Sequence, residues 1–251
     1  MPKHFMRIRD LGHSGAWEII RRAKEMKETN YRGHCMDGKV AALIFEKAST
    51  RTRVSFDVAV RQLGGTTIFM TPAESQLGRS EPLRDTARVL SRYVDCLIVR
   101  TFGQEKLDEL AEYGSLPVVN ALTDQGHPCQ LMADLLTIYE RTPDFSKVTV
   151  TWVGDGNNMA NSLIVGGLKV GMEVAVACPE GYDPHPDVLA FAREGTDGRL
   201  VTVVNTDRAE QRLSLPWSGD TATDLLTGQE FFPEEGTLTL CIPPRGGFLL
   251  G

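Results

Sequence analysis

Residues 40–45, Val-Ala-Ala-Leu-Ile-Phe, form an unbroken apolar run. A run of this length without polar alternation reads as a strand buried on both faces, as in a parallel sheet covered by helices. Residues 54–63, Val-Ser-Phe-Asp-Val-Ala-Val-Arg-Gln-Leu, then follow a helical period and stop at Gly64-Gly65. Ser49, Thr50, Arg51 and Thr52 therefore sit where a strand turns into a helix. The helix's first free N–H groups, the hydroxyls and the guanidinium groups of Arg51 and Arg53 converge there. That is an anion site, and phosphate is the guest it fits best. The plainer alternative is a capped helix with solvated arginines.

The same alternation recurs downstream. Residues 66–70 read as a strand, 71–81 as a polar loop holding Ser75 and Gln76, and 85–93 as a helix. A strand at 96–99 leads directly into Arg100, a helix covers 104–113, and a strand covers 117–121. Gly126-His127-Pro128-Cys129-Gln130 follows, then a helix over 131–139. Open α/β sheets bind ligands at the carboxyl ends of their strands, so Arg100, His127 and Gln130 are candidates beside residues 49–52. Plainer readings exist too: Arg100 as an arginine leaving for water, His127 as a structural hydrogen-bonder, and the 71–81 loop with Gln76 as a simple connection. An amphipathic helix over about 14–27 opens the chain, with Trp17, Ile20, Ala23 and Met26 on one stripe.

A second unit begins near residue 147. A strand at 148–153, the turn Gly154-Asp155-Gly156-Asn157-Asn158, a helix over 159–169 and a strand at 173–177 make a βαβ unit of Rossmann type. The dinucleotide fingerprint is incomplete, because Met159 stands at its third glycine, and Glu180 is a weak candidate for a ribose partner. Beyond about residue 195 the character changes. No lysine follows Lys169, and residues 196–251 hold four arginines against eight acids. Segments 200–205 and 237–242 are β-rich and separated by Gly and Pro turns, as in short antiparallel strands.

The 251 residues carry a net charge of −6, which argues against nucleic acid or an anionic membrane as partner. The N-terminus lacks a signal-peptide core, and the five cysteines are scattered without a C-x-x-C pair. That pattern points away from disulfides or structural zinc and toward a reducing, cytoplasmic setting.

The string F-E-K-x-S-T-R-T-R-V-S-F at 45–56 resembles the phosphate loop of the transcarbamylases, and its Lys47 is similar to the ornithine carbamoyltransferase branch. The resemblance covers about residues 3–194. It implies an α/β fold with a parallel-sheet carbamoyl-phosphate domain at 1–145, a partial Rossmann-like amino-acid domain at 146–195 and an antiparallel β tail at 196–251. It implies transfer of a carbamoyl group from carbamoyl phosphate to the side-chain amine of L-ornithine, within arginine metabolism, with neither metal nor cofactor. Ser49, Thr50, Arg51 and Thr52 would hold phosphate, and Thr52, Arg100 and His127 would donate to the carbamoyl oxygen. Gln130 would fix the carbamoyl NH2, and Asn158 would bind the amino-acid end of ornithine. Gln76 would reach into a neighbouring subunit's site, which implies a trimer. The family's S-M-G loop and H-C-L-P turn have no match in this sequence, so impaired turnover is expected. The tail, through 224–230 and 242–250, resembles the C-terminal β-domain of a glycoside hydrolase, with Asp224 and Glu230 read as turn and surface residues. Two alternatives stand beside this: a noncatalytic fusion that binds phosphate or oligomerises, and a nicotinamide-dependent enzyme built on residues 154–158.

Overall fold

The structure is a computed structural model that describes residues 3–11, 14–71, 81–178, 181–182, 184, 191–195, 198–204, 211–217, 219–225, 227–242 and 247–250. The chain divides into two units, Met1–Ala177 and Cys178–Gly251. Gln76 and its loop, and Glu180, lie outside the described residues.

The first unit opens with α1 (Gly15–Glu28) and the apolar strand β1 (Val40–Phe45), followed by α2 (Thr50–Gln62), β2 (Thr66–Met70) and α3 (Leu83–Leu90). Next come β3 (Cys96–Arg100), α4 (Gln104–Tyr113), β4 (Val118–Leu122) and α5 (Pro128–Arg141). All four strands are parallel, in the order β2-β1-β3-β4. The chain therefore runs outward from β1 to β2, then returns to the other side of β1 to lay down β3. Adjacent strands whose connections leave in opposite directions open a crevice at their carboxyl ends, and here that crevice lies between β1 and β3.

Alternate residues of β1 feed two cores. Ala42 and Ile44 pack with Leu97 and Val99 of β3 under Ala87, Leu107 and Leu110 of α3 and α4. Ala41, Leu43 and Phe45 pack on the opposite face with Ile98 and Val60 of α2. Both faces of β1 are covered, which is why its sequence shows no polar alternation. Residues 4–6 lie along the outer edge of β4: the Phe5 N–H donates to Val118 O at 2.8 Å, and the Asn120 N–H donates to Phe5 O at 2.8 Å. Trp17 of α1 meets Tyr139 and Phe145 at ring centroid distances of 5.9 and 5.2 Å, holding α1 on α5.

Two helices start earlier than their apolar periods suggest. Ser49 caps α2, its side chain accepting the Thr52 N–H, so Thr50, Arg51 and Thr52 form the first turn rather than a preceding loop. Pro128 supplies a preset φ at the first position of α5, so Gln130 lies inside that helix rather than ahead of it.

The unit closes with β5 (Thr149–Val153), α6 (Asn158–Val170) and β6 (Glu173–Ala177), β5 and β6 being parallel. Asn157 caps α6 by accepting the N–H groups of Met159 and Ala160. Gly171 ends it at φ 87°, a left-handed value that costs glycine nothing. Among the described residues no helix is long and apolar enough to cross a membrane.

The second unit is antiparallel. Strand β8 (Gly198–Val204) pairs with β7 (Phe191–Gly195) and β13 (Gly247–Leu250), and β9 (Gln211–Pro216) pairs with β12 (Thr237–Ile242). A short ladder joins β10 (Ala222–Thr223) to β11 (Glu230–Phe231). Trp217, Ala222, Leu238, Leu240 and Leu250 form its core. Asp224 departs from its expected surface position: it is fully buried, and Thr227 Oγ1 donates to its carboxylate at 2.5 Å. A turn that folds over its own acid needs that carboxylate inside, where the hydroxyl satisfies it.

Candidate active site

The carboxyl ends of β1, β3 and β4 deliver three groups of side chains to one edge of the sheet. From β1 comes the start of α2. Its first turn holds no acidic residue, so nothing offsets the positive end of the helix. Ser49 Oγ lies 2.8 Å from Thr52 Oγ1, placing two hydroxyls side by side at this end. Arg51 is exposed and forms no hydrogen bond or ion pair among the described residues. Arg53 is committed elsewhere, stacked 3.5 Å over the Phe69 ring. Of the two arginines, Arg51 is thus the one free to meet an anion.

From β3 comes Arg100. Its Nη1 lies 3.5 Å from Thr52 Oγ1, which joins it to the α2 group. Its Nε is buried without a partner, and burial lowers the affinity of the guanidinium for its proton. From β4 comes His127, whose Nδ1 is also buried and unpartnered. Burial, then the nearby charge of Arg100, push this imidazole down to about 4. His127 is therefore neutral near pH 7. It can give a hydrogen bond to a carbonyl oxygen but is a poor source of a transferable proton. Orphaned buried polar atoms are costly and are found where a ligand or water completes them.

Gln130 and Asn158 stand differently. Gln130 is exposed in the first turn of α5, and its Nε2 donates to Asp134 Oδ1 at 2.9 Å. Burial raises Asp134, and that hydrogen bond partly opposes the rise. Asn158 donates one N–H to Thr123 O at 2.7 Å, leaving its other N–H and its Oδ1 without a partner among the described residues. Cys129, two residues after His127, is a half-buried residue whose thiol is pushed up to about 12 by desolvation and donates to Asn120 O at 3.4 Å. It is no nucleophile at neutral pH.

Three supporting features had no place in the sequence reading. Ser162, buried on α6, accepts the His127 N–H at 2.8 Å and donates to Asn158 O at 2.9 Å. Asn161 donates to Gln125 O at 3.1 Å, so residues 158, 161 and 162 grip the turn at 123–127 from one face of α6. Spacing of i, i+3 and i+4 was the available signal. Gln104 accepts from the buried Thr123 hydroxyl at 3.1 Å, tying α4 to the same turn. Glu46 and Lys47, between β1 and Ser49, reach sideways over β3 and β4 rather than toward α2: Glu46 to Thr101 and Lys106, and Lys47 to Asp124 and Phe102.

Residues 3–140 match the carbamoyl-P binding domain of the aspartate/ornithine carbamoyltransferases, and residues 146–213 match their Asp/Orn binding domain. Residues 182–249 match the C-terminal domain of maltogenic amylase. The chain is 71% identical over 194 residues to an ornithine carbamoyltransferase of Nitratidesulfovibrio vulgaris, covering 77% of this chain and 65% of that protein. It is 46% identical over 212 residues to one from Pelobacter propionicus, covering 83% and 70%. Among solved structures, ornithine carbamoyltransferase from Pyrococcus furiosus superposes with TM-score 0.71 at 42% identity, over 74% of this chain and 60% of that one. The enzyme from Thermus thermophilus gives 0.72 at 40% identity, over 75% and 66%. The chain thus spans just under two thirds of the Nitratidesulfovibrio relative. With the anion loop, Arg100 and His127 gathered at one sheet edge inside the matched region, the chain belongs to the aspartate/ornithine carbamoyltransferase family.

Proposed function

We propose that the chain is a carbamoyltransferase of the ornithine type, moving the carbamoyl group from carbamoyl phosphate to the side-chain amine of L-ornithine. One observation carries the reading: the unpartnered Nε of Arg100 and Nδ1 of His127 are buried beside a helix N-terminus that has no acid in its first turn. A ligand with an anionic end and a carbonyl end satisfies both at once.

In the proposed reaction Ser49, Thr50, Arg51 and Thr52 hold the phosphate. The neutral amine attacks the carbamoyl carbon, and the new C–N bond produces a tetrahedral intermediate whose oxyanion receives hydrogen bonds from Thr52, Arg100 and His127. The C–O bond to phosphate then breaks, its electron pair leaves with the phosphate, and the proton lost by the amine balances that charge. Gln130 orients the carbamoyl NH2 once it exchanges Asp134 for substrate. Asn158 uses its remaining N–H and Oδ1 for the amino-acid end. Preorganised donors of this kind contribute on the order of 3 kcal/mol each, and alignment of the two substrates adds more. The neutral state of His127 suits a donor that stabilises charge without transferring a proton. Turnover is expected to be weak, because the S-M-G loop and H-C-L-P turn have no match in the sequence. Domain limits at 1–145, 146–195 and 196–251, trimeric assembly with Gln76 reaching a neighbouring site, cytoplasmic location and a place in arginine metabolism belong to the same proposal.

The test is calorimetry of the whole chain with phosphonoacetamide, and with a bisubstrate compound joining it to ornithine. Phosphonoacetamide should bind, and Arg51→Ala should weaken it by about a hundredfold, since a charged contact of this kind contributes up to about 3 kcal/mol. Tighter binding of the joined compound would establish the amino-acid site. No binding of either compound to the parent chain would sink the proposal.

A further inference from the structure

The sequence between β1 and Ser49 supplies nothing to the anion site, yet two of its residues are charged and only partly exposed. The Glu46 side chain is 16% exposed and that of Lys47 is 22% exposed. The Glu46 N–H donates to Arg100 O at 2.8 Å. Its carboxylate accepts from the Thr101 hydroxyl and from Lys106 Nζ, both of its oxygens lying 2.8 Å from that ammonium. Thr101, directly after Arg100, is buried. Glu46 is thus joined by main chain and side chain to the end of β3. Lys47 pairs with Asp124 in the turn after β4, and its Nζ stands 4.4 Å from the Phe102 ring centroid. Asp124 in turn donates its N–H to Phe102 O at 2.8 Å. Two consecutive residues of one loop therefore fasten it to the other two.

Those three loops are the ones that hold Ser49 to Thr52, Arg100 and His127. A ligand touching only the α2 end needs one loop in place. A ligand bonded at the α2 end and also by Arg100 and His127 needs the spacing between loops held to a fraction of an ångström. We infer that Glu46 and Lys47 are positioning residues that brace the three loops, setting the distance between the phosphate end and the carbonyl end of the site. They touch no substrate in this arrangement. The inference rests on the proposed function for the identity of the ligand, but the brace itself is a statement about the loops.

Two ligands separate positioning from binding: methylphosphonate, which offers only the anionic end, and phosphonoacetamide, which offers both ends. Their dissociation constants are measured for the parent chain and for the Lys106→Met and Lys47→Met variants, which release one side of the brace each. Methylphosphonate should bind all three proteins alike, while phosphonoacetamide should weaken by about tenfold in each variant. An unchanged ratio between the ligands, or equal weakening of both, would overturn the brace. If the parent does not prefer phosphonoacetamide, the proposed function fails, and amide hydrogen exchange then decides the brace alone. The Glu46 N–H in Lys106→Met and the Asp124 N–H in Lys47→Met should exchange about tenfold faster than in the parent, with the Leu110 N–H unaffected. Unchanged exchange at both would refute it.

Discussion

Replacing Ser162 by alanine tests the grip of α6 on the turn at 123–127. Ser162 is 6% exposed, and its hydroxyl is the acceptor for the His127 N–H at 2.8 Å. His127 is the residue that precedes α5, and no side chain caps that helix. Alanine therefore leaves this part-buried N–H with no protein acceptor, a cost of about 1–3 kcal/mol. The carbonyl of Asn158, to which Ser162 also donates, keeps its ordinary i→i+4 bond within α6 and adds nothing to the loss. Alanine recovers up to about 0.5 kcal/mol through its higher helix propensity, so the net loss is about 1.5 kcal/mol. With a urea dependence of about 2 kcal/mol per molar, the unfolding midpoint should fall by about 0.75 M. Every α-helix among the described residues belongs to the first unit, so the helical far-UV signal follows that unit. The exposed Ser55, whose hydroxyl donates to Thr52 O at 3.1 Å, gives the control: Ser55→Ala should stay within about 0.5 kcal/mol. If the Ser162→Ala midpoint does not move, or moves no further than the control, the bond to His127 is not holding the turn.

The remaining predictions concern protonation and backbone. His127 is lowered from 6.5 to about 4, so between those values the unfolded chain binds the proton and the native chain does not. Its contribution to stability is complete above pH 6.5 and is lost as pH falls toward about 4. His127→Asn should flatten the fall of the urea midpoint across that window, and an identical slope in both proteins would refute the assignment. At Gly171, with φ 87° and nothing within 4 Å of the place a methyl group would occupy, alanine should cost about 1 kcal/mol from backbone strain alone. A midpoint equal to the parent's would contradict the left-handed cap.

What the sequence revealed follows from how each feature is encoded. Strand β1 was legible to the residue because burial on both faces forces an all-apolar run, and β2 and α4 were bounded by glycines and by abrupt changes of period. The starts of α2 and α5 were misread by a few residues because the Ser49 cap and Pro128 at the first position of α5 draw polar residues such as Thr50, Arg51 and Gln130 into the helix, where apolar periodicity carries no signal. Arg100 and His127 were legible as strand-end residues, since parallel strands deliver their ligands at one edge. The supporting contacts were not. The hydrogen bond from His127 to Ser162 spans 35 residues and that from Thr101 to Glu46 spans 55, and such pairings exist only once the strand order is known. The buried state of Asp224 was hidden for a related reason: an Asp before Leu-Leu-Thr-Gly looks like an exposed turn until its hydroxyl partner folds over it.

The strand-like segment at residues 4–6 has a kinetic consequence. It completes the edge of β4 through main-chain bonds at Phe5, and through Asn120 Nδ2 to Met6 O at 2.9 Å, a contact separated by 114 residues. Closing a loop of that length costs about 2 kcal/mol more than closing one of ten residues, and no local turn offsets it. We expect β1, β2 and β3 to be assembled before this seam closes, so that it forms on the native side of the folding barrier. Weakening it would then hasten unfolding while leaving the rate of folding almost unchanged, and during synthesis residues 4–6 would stay unpaired until β4 had been made.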